Sequence, residues 1–141
     1  MHSIHYRGTA QAPGLVLALD VAPGAVCDGL AFAVRAGEQA EVLAALRARE
    51  LISAAYLERE LPLRLEDGRA VTAISYVIDR AHAQYCGDLS LEQQAQVIAR
   101  AHGERGANAD YLFSTAAHLA ELGLPDADLD WLAARVRALI V

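Results

Sequence analysis

Glu50, a carboxylate at the end of an amphipathic segment, is the residue of this sequence best suited to proton transfer. Residues 38–50 favour a helix whose apolar positions recur at helical spacing, namely Val42, Leu43 and Leu46. At about 100° per residue, Glu50 projects from the same side of that helix as Leu43. A carboxylate partly removed from water can accept and return protons near neutrality, as general acid–base catalysis requires. The alternative is a helix-end glutamate that pairs with Arg47 or Arg49, or reaches solvent.

The candidate substrate-binding residues are of types that also have common structural roles. Arg7, in the string Tyr6-Arg7-Gly8-Thr9, carries a guanidinium suited to a substrate carboxylate. Tyr56 and Tyr111 can contact a substrate, although aromatic rings more often fill a core or its rim. Both interpretations stay open on the residues alone.

Motifs for metal or cofactor chemistry are not recognisable in the sequence. Of the five histidines, only His2 and His5 are closely spaced, and Cys27 and Cys86 lie far apart without metal-ligand spacing. The serines lack the G-x-S-x-G setting of a hydrolase elbow, and no glycine cluster matches a dinucleotide-binding or phosphate-binding loop. We therefore expect no metal site, and nucleotide chemistry is unsupported.

Length, composition and charge narrow the class of protein. The 141 residues, 55% of them hydrophobic, suffice for one domain with a sizeable core and not for two ordinary domains. A net charge of -6 with scattered basic residues argues against nucleic-acid binding. No apolar stretch has the length of a membrane span, and the first residues lack the apolar core of a signal peptide. We expect a cytoplasmic protein with a small-molecule or protein partner.

Strands are predicted in the first two thirds of the chain. The apolar run Leu15–Asp20 lies between two Pro-Gly turns and favours a strand, and Gly29–Val34 favours the next one. Residues 56–65 and 71–78 flank an Asp-Gly pair suited to a tight turn, which predicts a β-hairpin. Pro62 puts the first arm of that hairpin at a sheet edge or at a bulge.

Helices are predicted in the last third. Ser90 can cap a helix through His102, Asn108 another to about Leu122, and Pro125-Asp126 precedes a third through Leu139. Strands first and helices last, with one helix inserted, predict a mixed α+β fold in which helices cover a small curved sheet or barrel.

Five segments gain meaning when they are taken together: YRGTAQAPGLVLALD, GLAFAV, RELISAAYLERELPLRLEDGRAVTAISYVID, AHAQY and NADYLF. In this order they resemble the ChaC family of glutathione-specific gamma-glutamylcyclotransferases. The resemblance covers nearly the whole chain. Its most specific parts are the segment from Arg49-Glu50 through Asp79 and the stretch RGT-x-x-APG.

The resemblance implies the gamma-glutamylcyclotransferase fold and a lyase that cleaves glutathione to 5-oxoproline and cysteinylglycine without metal or organic cofactor. In that reaction the substrate's own α-amine attacks its side-chain carbonyl, and one carboxylate serves as general base and then as general acid. By motif match this carboxylate is Glu50. Arg7 and Tyr111 match strings typical of the family and are expected to contact the substrate, as is Tyr56, which closely follows the catalytic segment.

One family feature is not found in this sequence. Family members begin with a strand and a Y-G-S-L loop, whose backbone N–H groups cradle the gamma-glutamyl part of the substrate. We therefore expect an N-terminally truncated ChaC-like domain over residues 1–141 whose first strand is missing. One alternative is a non-catalytic binding or regulatory protein that keeps the fold and completes its sheet as a homodimer. Another is the same chemistry on a different gamma-glutamyl amine.

Overall fold

A computed structural model describes residues 1–140, which fall into two compact units. Unit 1 combines residues 1–17 with the part of the chain from Cys86 onward, and unit 2 comprises residues 18–85. Unit 1 contains, in chain order, β1 (His2–Ser3), β2 (Gly14–Leu15), α2 (Leu91–Arg100), β5 (His102–Gly103), β6 (Gly106–Ala107), α3 (Asn108–Glu121) and α4 (Ala127–Leu139). Unit 2 contains α1 (Gln39–Glu50), β3 (Tyr56–Arg64) and β4 (Ala70–Ile78). That the two units make up one domain over residues 1–141 stays a prediction.

The strands of the described residues form antiparallel pairs, β1 with β2, β3 with β4 and β5 with β6. Helices and strands are thus mixed, as predicted, but each sheet has two strands and none closes into a barrel within residues 1–140. No helix in this part of the chain is both long enough and apolar enough to cross a lipid bilayer.

The three predicted helices of the last third are present in unit 1. The Ser90 hydroxyl accepts a hydrogen bond from the Gln93 N–H at 3.3 Å, while the Gln93 side chain accepts from the Ser90 N–H at 2.9 Å. This reciprocal pair is a capping box, which stabilises the start of α2. Asp126 caps α4 in a simpler way, because its Oδ1 accepts from the Leu129 N–H at 2.9 Å. The helices pack around a buried core formed by Leu15, Ala95, Ile98, Ala109, Leu112, Leu129, Leu132, Ala133 and Val136.

The prediction that Asn108 caps α3 is wrong. Ala107 occupies the N-cap position, and the Asn108 side chain is fully buried. Its Oδ1 accepts from the Leu15 N–H at 2.6 Å, and its Nδ2 donates to the Leu15 carbonyl at 2.7 Å. A buried backbone segment needs partners for its polar groups, so the amide serves β2 instead of its own helix.

Replacing Asn108 by Ala is expected to lower the free energy of unfolding by about 2–4 kcal/mol, because both polar groups of Leu15 lose their buried partners. Urea unfolding followed by circular dichroism would measure the change. Ser114→Ala, at an exposed position of the same helix, serves as the control and should leave the midpoint nearly unchanged. Equal midpoints for the two variants would contradict the bridging role of Asn108.

An ion pair joins α2 to α4 on the surface of unit 1. Arg135 donates to Glu92 at 2.8 and 2.9 Å, and this lowers the pKa of Glu92 from its ordinary 4.5 to about 2. A carboxyl with a lowered pKa contributes stability above its unfolded value, and the contribution is lost as the pH falls through the folded value.

Replacing Glu92 by Gln is therefore expected to reduce the melting temperature slightly at pH 7, with a deficit that shrinks between pH 4.5 and about 2. Thermal unfolding across that pH range would measure it. The exposed Glu104, changed to Gln, provides a control in the same unit. A deficit that persists unchanged down to pH 2 would contradict the ion-pair explanation.

The predicted hairpin is the main feature of unit 2. Strands β3 and β4 pair without interruption from Tyr56 opposite Ile78 to Arg64 opposite Ala70. Gly68 has φ +85 in the connecting turn, a conformation that glycine adopts without strain. Pro62 lies at the edge, as predicted, and the pairing continues through it without a bulge.

The two short strands predicted between residues 15 and 34 are largely wrong. Residues 29–34 have no regular secondary structure, and the Phe32 side chain is 85% exposed. Of Leu15–Asp20, Leu15 belongs to β2 and Leu19 makes an isolated parallel bridge to Val77. An apolar alternating pattern favours a strand only where a neighbouring strand accepts its hydrogen bonds, and the described residues give 29–34 none.

Candidate active site

The four residues expected to act on the substrate lie as two pairs, one in each unit. Glu50 and Tyr56 belong to unit 2, whereas Arg7 and Tyr111 belong to unit 1. The surroundings of each pair decide what chemistry its members can perform.

Glu50 is the last residue of α1 and lies on the half-buried side of that helix, with its side chain 27% exposed. The same side carries the apolar residues of the predicted stripe, Val42, Leu43 and Leu46, which are also half-buried. The expected placement is therefore present. One oxygen, Oε1, accepts from Arg49 at 2.6 and 2.7 Å, so a pairing considered from the sequence does form. Arg49 is 68% exposed, and a surface ion pair of this kind adds little stability. Within residues 1–140, the other carboxylate oxygen of Glu50, Oε2, accepts no hydrogen bond.

The turn after Glu50 is strained. Ala54 has φ +54, a left-handed conformation that costs a residue with a Cβ atom about 1–2 kcal/mol. The turn is closed by a hydrogen bond from the Ala54 N–H to the Leu51 carbonyl at 3.1 Å. It connects the end of α1 to Tyr56 at the start of β3. Backbone strain of this kind is concentrated at functional sites in proteins, which supports a function for this corner of unit 2.

A polar network covers one face of the hairpin next to Glu50. Tyr56 and Glu58 are two residues apart in β3 and so point to the same face, where Glu58 lies opposite Tyr76. Arg47 of α1 binds both carboxylate oxygens of Glu58, with Nε to Oε2 at 2.8 Å and Nη2 to Oε1 at 2.7 Å. The Tyr76 hydroxyl donates to Glu58 Oε2 at 3.1 Å. Arg47 thus links the helix that carries Glu50 to β3, and the Tyr76 hydroxyl ties the same carboxylate to β4.

Two pKa shifts distinguish the roles available to this network. The hydrogen bonds from Arg47 lower the pKa of Glu58, so this carboxylate stays charged near neutrality. Burial raises the pKa of Tyr76, and the negative charges of Glu58 and Glu50 raise it further, so the phenol stays protonated. Glu58 is committed to its guanidinium partner. Of the two half-buried carboxylates beside Tyr76, Glu50 is the one with an oxygen available for a substrate proton.

Arg7 and Tyr111 lie next to each other in unit 1, with the guanidinium carbon 5.8 Å from the centre of the tyrosine ring. The Arg7 Nη1 donates to the carbonyls of Arg105 and Ala107 at 2.8 and 3.2 Å. The Tyr111 oxygen accepts from the Leu17 N–H at 3.1 Å. Both side chains therefore support the local backbone. The remaining guanidinium nitrogens and the tyrosine proton are the groups available to a ligand.

Three glycines let backbone segments approach closely around Arg7. A Cβ atom on Gly8 would overlap the backbone of Gly14, one on Gly14 would overlap the Arg7 carbonyl, and one on Gly103 would lie 2.6 Å from the Arg7 nitrogen. Hydrogen bonds from the Glu104 and Arg105 N–H groups to the carbonyls of His5 and Tyr6, at 3.0 and 2.9 Å, join the backbone segment before Arg7 to the segment after Gly103. The tight crossing sets the position of Arg7.

Sequence reasoning missed the partners of Glu58. The signals were present, since Arg47 and Glu50 are three residues apart on one helix and Tyr56 and Glu58 share a strand face. Which residue of the strand meets Arg47 depended on the packing of α1 against the hairpin. No three His, Cys, Asp or Glu side chains of residues 1–140 converge as metal ligands would.

Comparison with known proteins now identifies the fold and the family. The chain matches the ChaC-like protein family over residues 1–139. It is 38% identical over 134 residues to the glutathione-specific gamma-glutamylcyclotransferase of Escherichia coli (strain K12), an alignment that covers 95% of this chain and 57% of that protein. It is 30% identical over 144 residues to gamma-glutamylcyclotransferase 2-3 of Arabidopsis thaliana, covering 98% of this chain and 72% of that one. The crystal structure of the yeast gamma-glutamyl cyclotransferase specific to glutathione has a TM-score of 0.79 at 20% identity, covering 97% of this chain and 81% of that one.

The fold is thus the α+β fold of the gamma-glutamylcyclotransferases, as predicted. This chain belongs to the ChaC-like family. It spans a little over half the length, 57%, of its Escherichia coli relative.

Proposed function

We propose that this protein is a lyase that cleaves glutathione to 5-oxoproline and cysteinylglycine, with Glu50 as the group that moves protons. The observation that carries the proposal is the environment of Glu50, a half-buried carboxylate with one oxygen available, beside a second carboxylate already committed to Arg47. The names of the relatives in Escherichia coli and yeast support the choice of substrate.

The proton balance of the reaction explains why one carboxylate suffices. The α-ammonium group of the glutamyl part loses two protons as it becomes the N–H of a lactam. The departing amide nitrogen gains two protons as it becomes the ammonium group of cysteinylglycine. The C–N bond to cysteine breaks as the C–N bond of the ring forms, and no water is consumed. A carboxylate that accepts each proton from the attacking nitrogen and returns it to the leaving nitrogen ends the cycle in its initial state.

The binding groups of the substrate are assigned by charge. Glutathione carries two carboxylates, and a guanidinium with free nitrogens, such as that of Arg7, is a suitable partner for one of them. Tyr111 can donate its proton to a carboxylate or an amide oxygen while it accepts from Leu17. Tyr56 lies on the hairpin face that carries the Glu58 network and is proposed to line the substrate site there.

The test is the release of both products from glutathione by the purified 141-residue chain. We expect 5-oxoproline and cysteinylglycine to appear in equal amounts by mass spectrometry, and chelators to leave the rate unchanged. Gamma-glutamylalanine and gamma-glutamylcysteine, assayed in parallel, report the preferred leaving amine. Intact glutathione after prolonged incubation with folded protein would reject the proposed activity.

Location and assembly are the remaining parts of the proposal. A cytoplasmic location fits a sequence whose two cysteines lie far apart and suggest no disulfide framework. The homodimer considered from the sequence stays a prediction, which sedimentation of the purified chain would test.

A further inference from the structure

The contact between Arg47 of α1 and Glu58 of the hairpin has no part in the proton transfers proposed above. Arg47 holds Glu58 with two hydrogen bonds of 2.7 and 2.8 Å, and Tyr76 adds a third at 3.1 Å. A guanidinium that binds a carboxylate through two parallel bonds defines the direction as well as the distance of the contact. The helix is therefore oriented relative to the hairpin by polar contacts.

Apolar packing alone holds α1 weakly. None of its 12 residues is buried, and its apolar side is only half-covered. A helix of three turns without a buried face has little intrinsic stability in water. By contrast, the Glu58 side chain is only 26% exposed, and it receives bonds from two different elements. The Arg47–Glu58 contact is thus a specific anchor for an otherwise loosely packed helix.

The anchor lies one turn before Glu50. Residues three apart on a helix are neighbours on its surface, so Arg47 and Glu50 project toward the same part of the hairpin. The Leu51 N–H bonds to the Arg47 carbonyl at 3.0 Å, which connects the backbone of the anchor to the end of the helix. Displacement of Arg47 would therefore move the carboxylate of Glu50.

We propose that Arg47, Glu58 and Tyr76 are positioning residues, which hold α1 against the hairpin so that Glu50 meets the substrate in a reactive geometry. The inference rests on the proposed function. It assigns no proton transfer to these three residues, because Glu58 is paired and Tyr76 donates to it. A displacement of about 1 Å at a reacting group can reduce a rate by about 100-fold, so an anchor of this kind has a measurable effect.

The variants are Arg47→Met, which keeps the length of the side chain and removes the charge, Glu58→Gln and Tyr76→Phe. Arg69→Met is the matched control, because Arg69 pairs with Asp67 at 2.7 Å in the turn of the same hairpin, away from the Arg47–Glu58 anchor. We expect the kcat for 5-oxoproline release to fall about 10-fold to 100-fold in Arg47→Met and Glu58→Gln, with KM nearly unchanged. The double variant Arg47→Met/Glu58→Gln should lose no more kcat than either single variant, because the two residues act as one unit.

A measurement that needs no turnover separates this inference from the proposed function. Amide hydrogen exchange at Glu50 and Leu51 should become at least about 10-fold faster in Arg47→Met and Glu58→Gln than in Arg69→Met, because the end of α1 opens more often. Unchanged exchange would overturn the anchor even if the native chain proved inactive. Faster exchange with an unchanged kcat would overturn the positioning of Glu50, while the lyase activity would stand. A loss in Glu58→Gln that exceeds about 100-fold and is as deep as that in Glu50→Gln would point to Glu58 as a catalytic carboxylate and would also overturn the inference.

Discussion

The Glu50→Gln variant is expected to release 5-oxoproline from glutathione at least about 100-fold more slowly than the native protein, with an almost unchanged melting temperature. The amide has nearly the volume of the carboxylate but cannot carry a proton at neutral pH. Glu50 contributes little to folding, because its ion pair with the exposed Arg49 lies at the surface. A steady-state assay and a thermal melt of the same preparations would measure both effects.

Glu41 offers a matched control for this experiment. It lies in the same helix nine residues before Glu50, so it projects from the opposite side, where it is exposed. Glu41→Gln removes the same charge from the same helix and should keep the native rate. Near-native turnover in Glu50→Gln would refute the assignment of Glu50, and an equal loss in both variants would indicate a general effect of charge on α1.

The Gly8→Ala variant is expected to have the largest effect on folding, with a loss of about 3 kcal/mol or more and a melting temperature lower by more than about 10 °C. The added methyl group would overlap the nitrogen of Gly14 and lie 2.6 Å from the Ser3 carbonyl oxygen. These atoms belong to the backbone, so they cannot move aside as a flexible side chain would. The backbone segments that pack closely around Arg7 would have to move apart.

Gly29→Ala tests whether the loss arises from this contact rather than from the substitution type. A Cβ atom at Gly29 would meet nothing within 4 Å, and its backbone is not in the left-handed region. We expect Gly29→Ala to be neutral or slightly stabilising, because alanine restricts the unfolded chain. Thermal and urea unfolding of both variants would measure the difference. Similar stability in the two variants would show that the crossing tolerates a side chain.

Elements with local determinants could be predicted from the sequence. The hairpin follows from alternating residues on either side of Asp67-Gly68, and the φ of +85 at Gly68 is the conformation that this pair favours. Helices α2 and α4 begin where Ser90 and Asp126 can accept bonds from N–H groups three residues ahead. Each of these signals acts between residues close in the chain, and at Gly68, Ser90 and Asp126 the local conformation or hydrogen bond is the one that the signal predicts.

Elements that depend on distant partners could not be predicted in this way. Asn108 has the residue type of a helix cap, yet the backbone of Leu15, which is 93 residues away, takes its side chain. Residues 29–34 have the pattern of a strand, but a pattern does not supply a neighbouring strand. In both cases a nonlocal hydrogen-bonding requirement decided the outcome.

The same distinction between local determinants and distant partners applies to the residues of the candidate site. The sequence by itself determined that Glu50 ends a helix on its apolar side, because a helix has a period of 3.6 residues wherever it lies. It also determined that Tyr56 and Glu58 share one face of a strand. Only the tertiary structure decided that Arg47 binds Glu58 instead of Glu50, and that Arg7 meets Tyr111 across more than one hundred residues of chain. Periodicity states which residues of one element can meet, whereas the partner on another element depends on how the two elements pack.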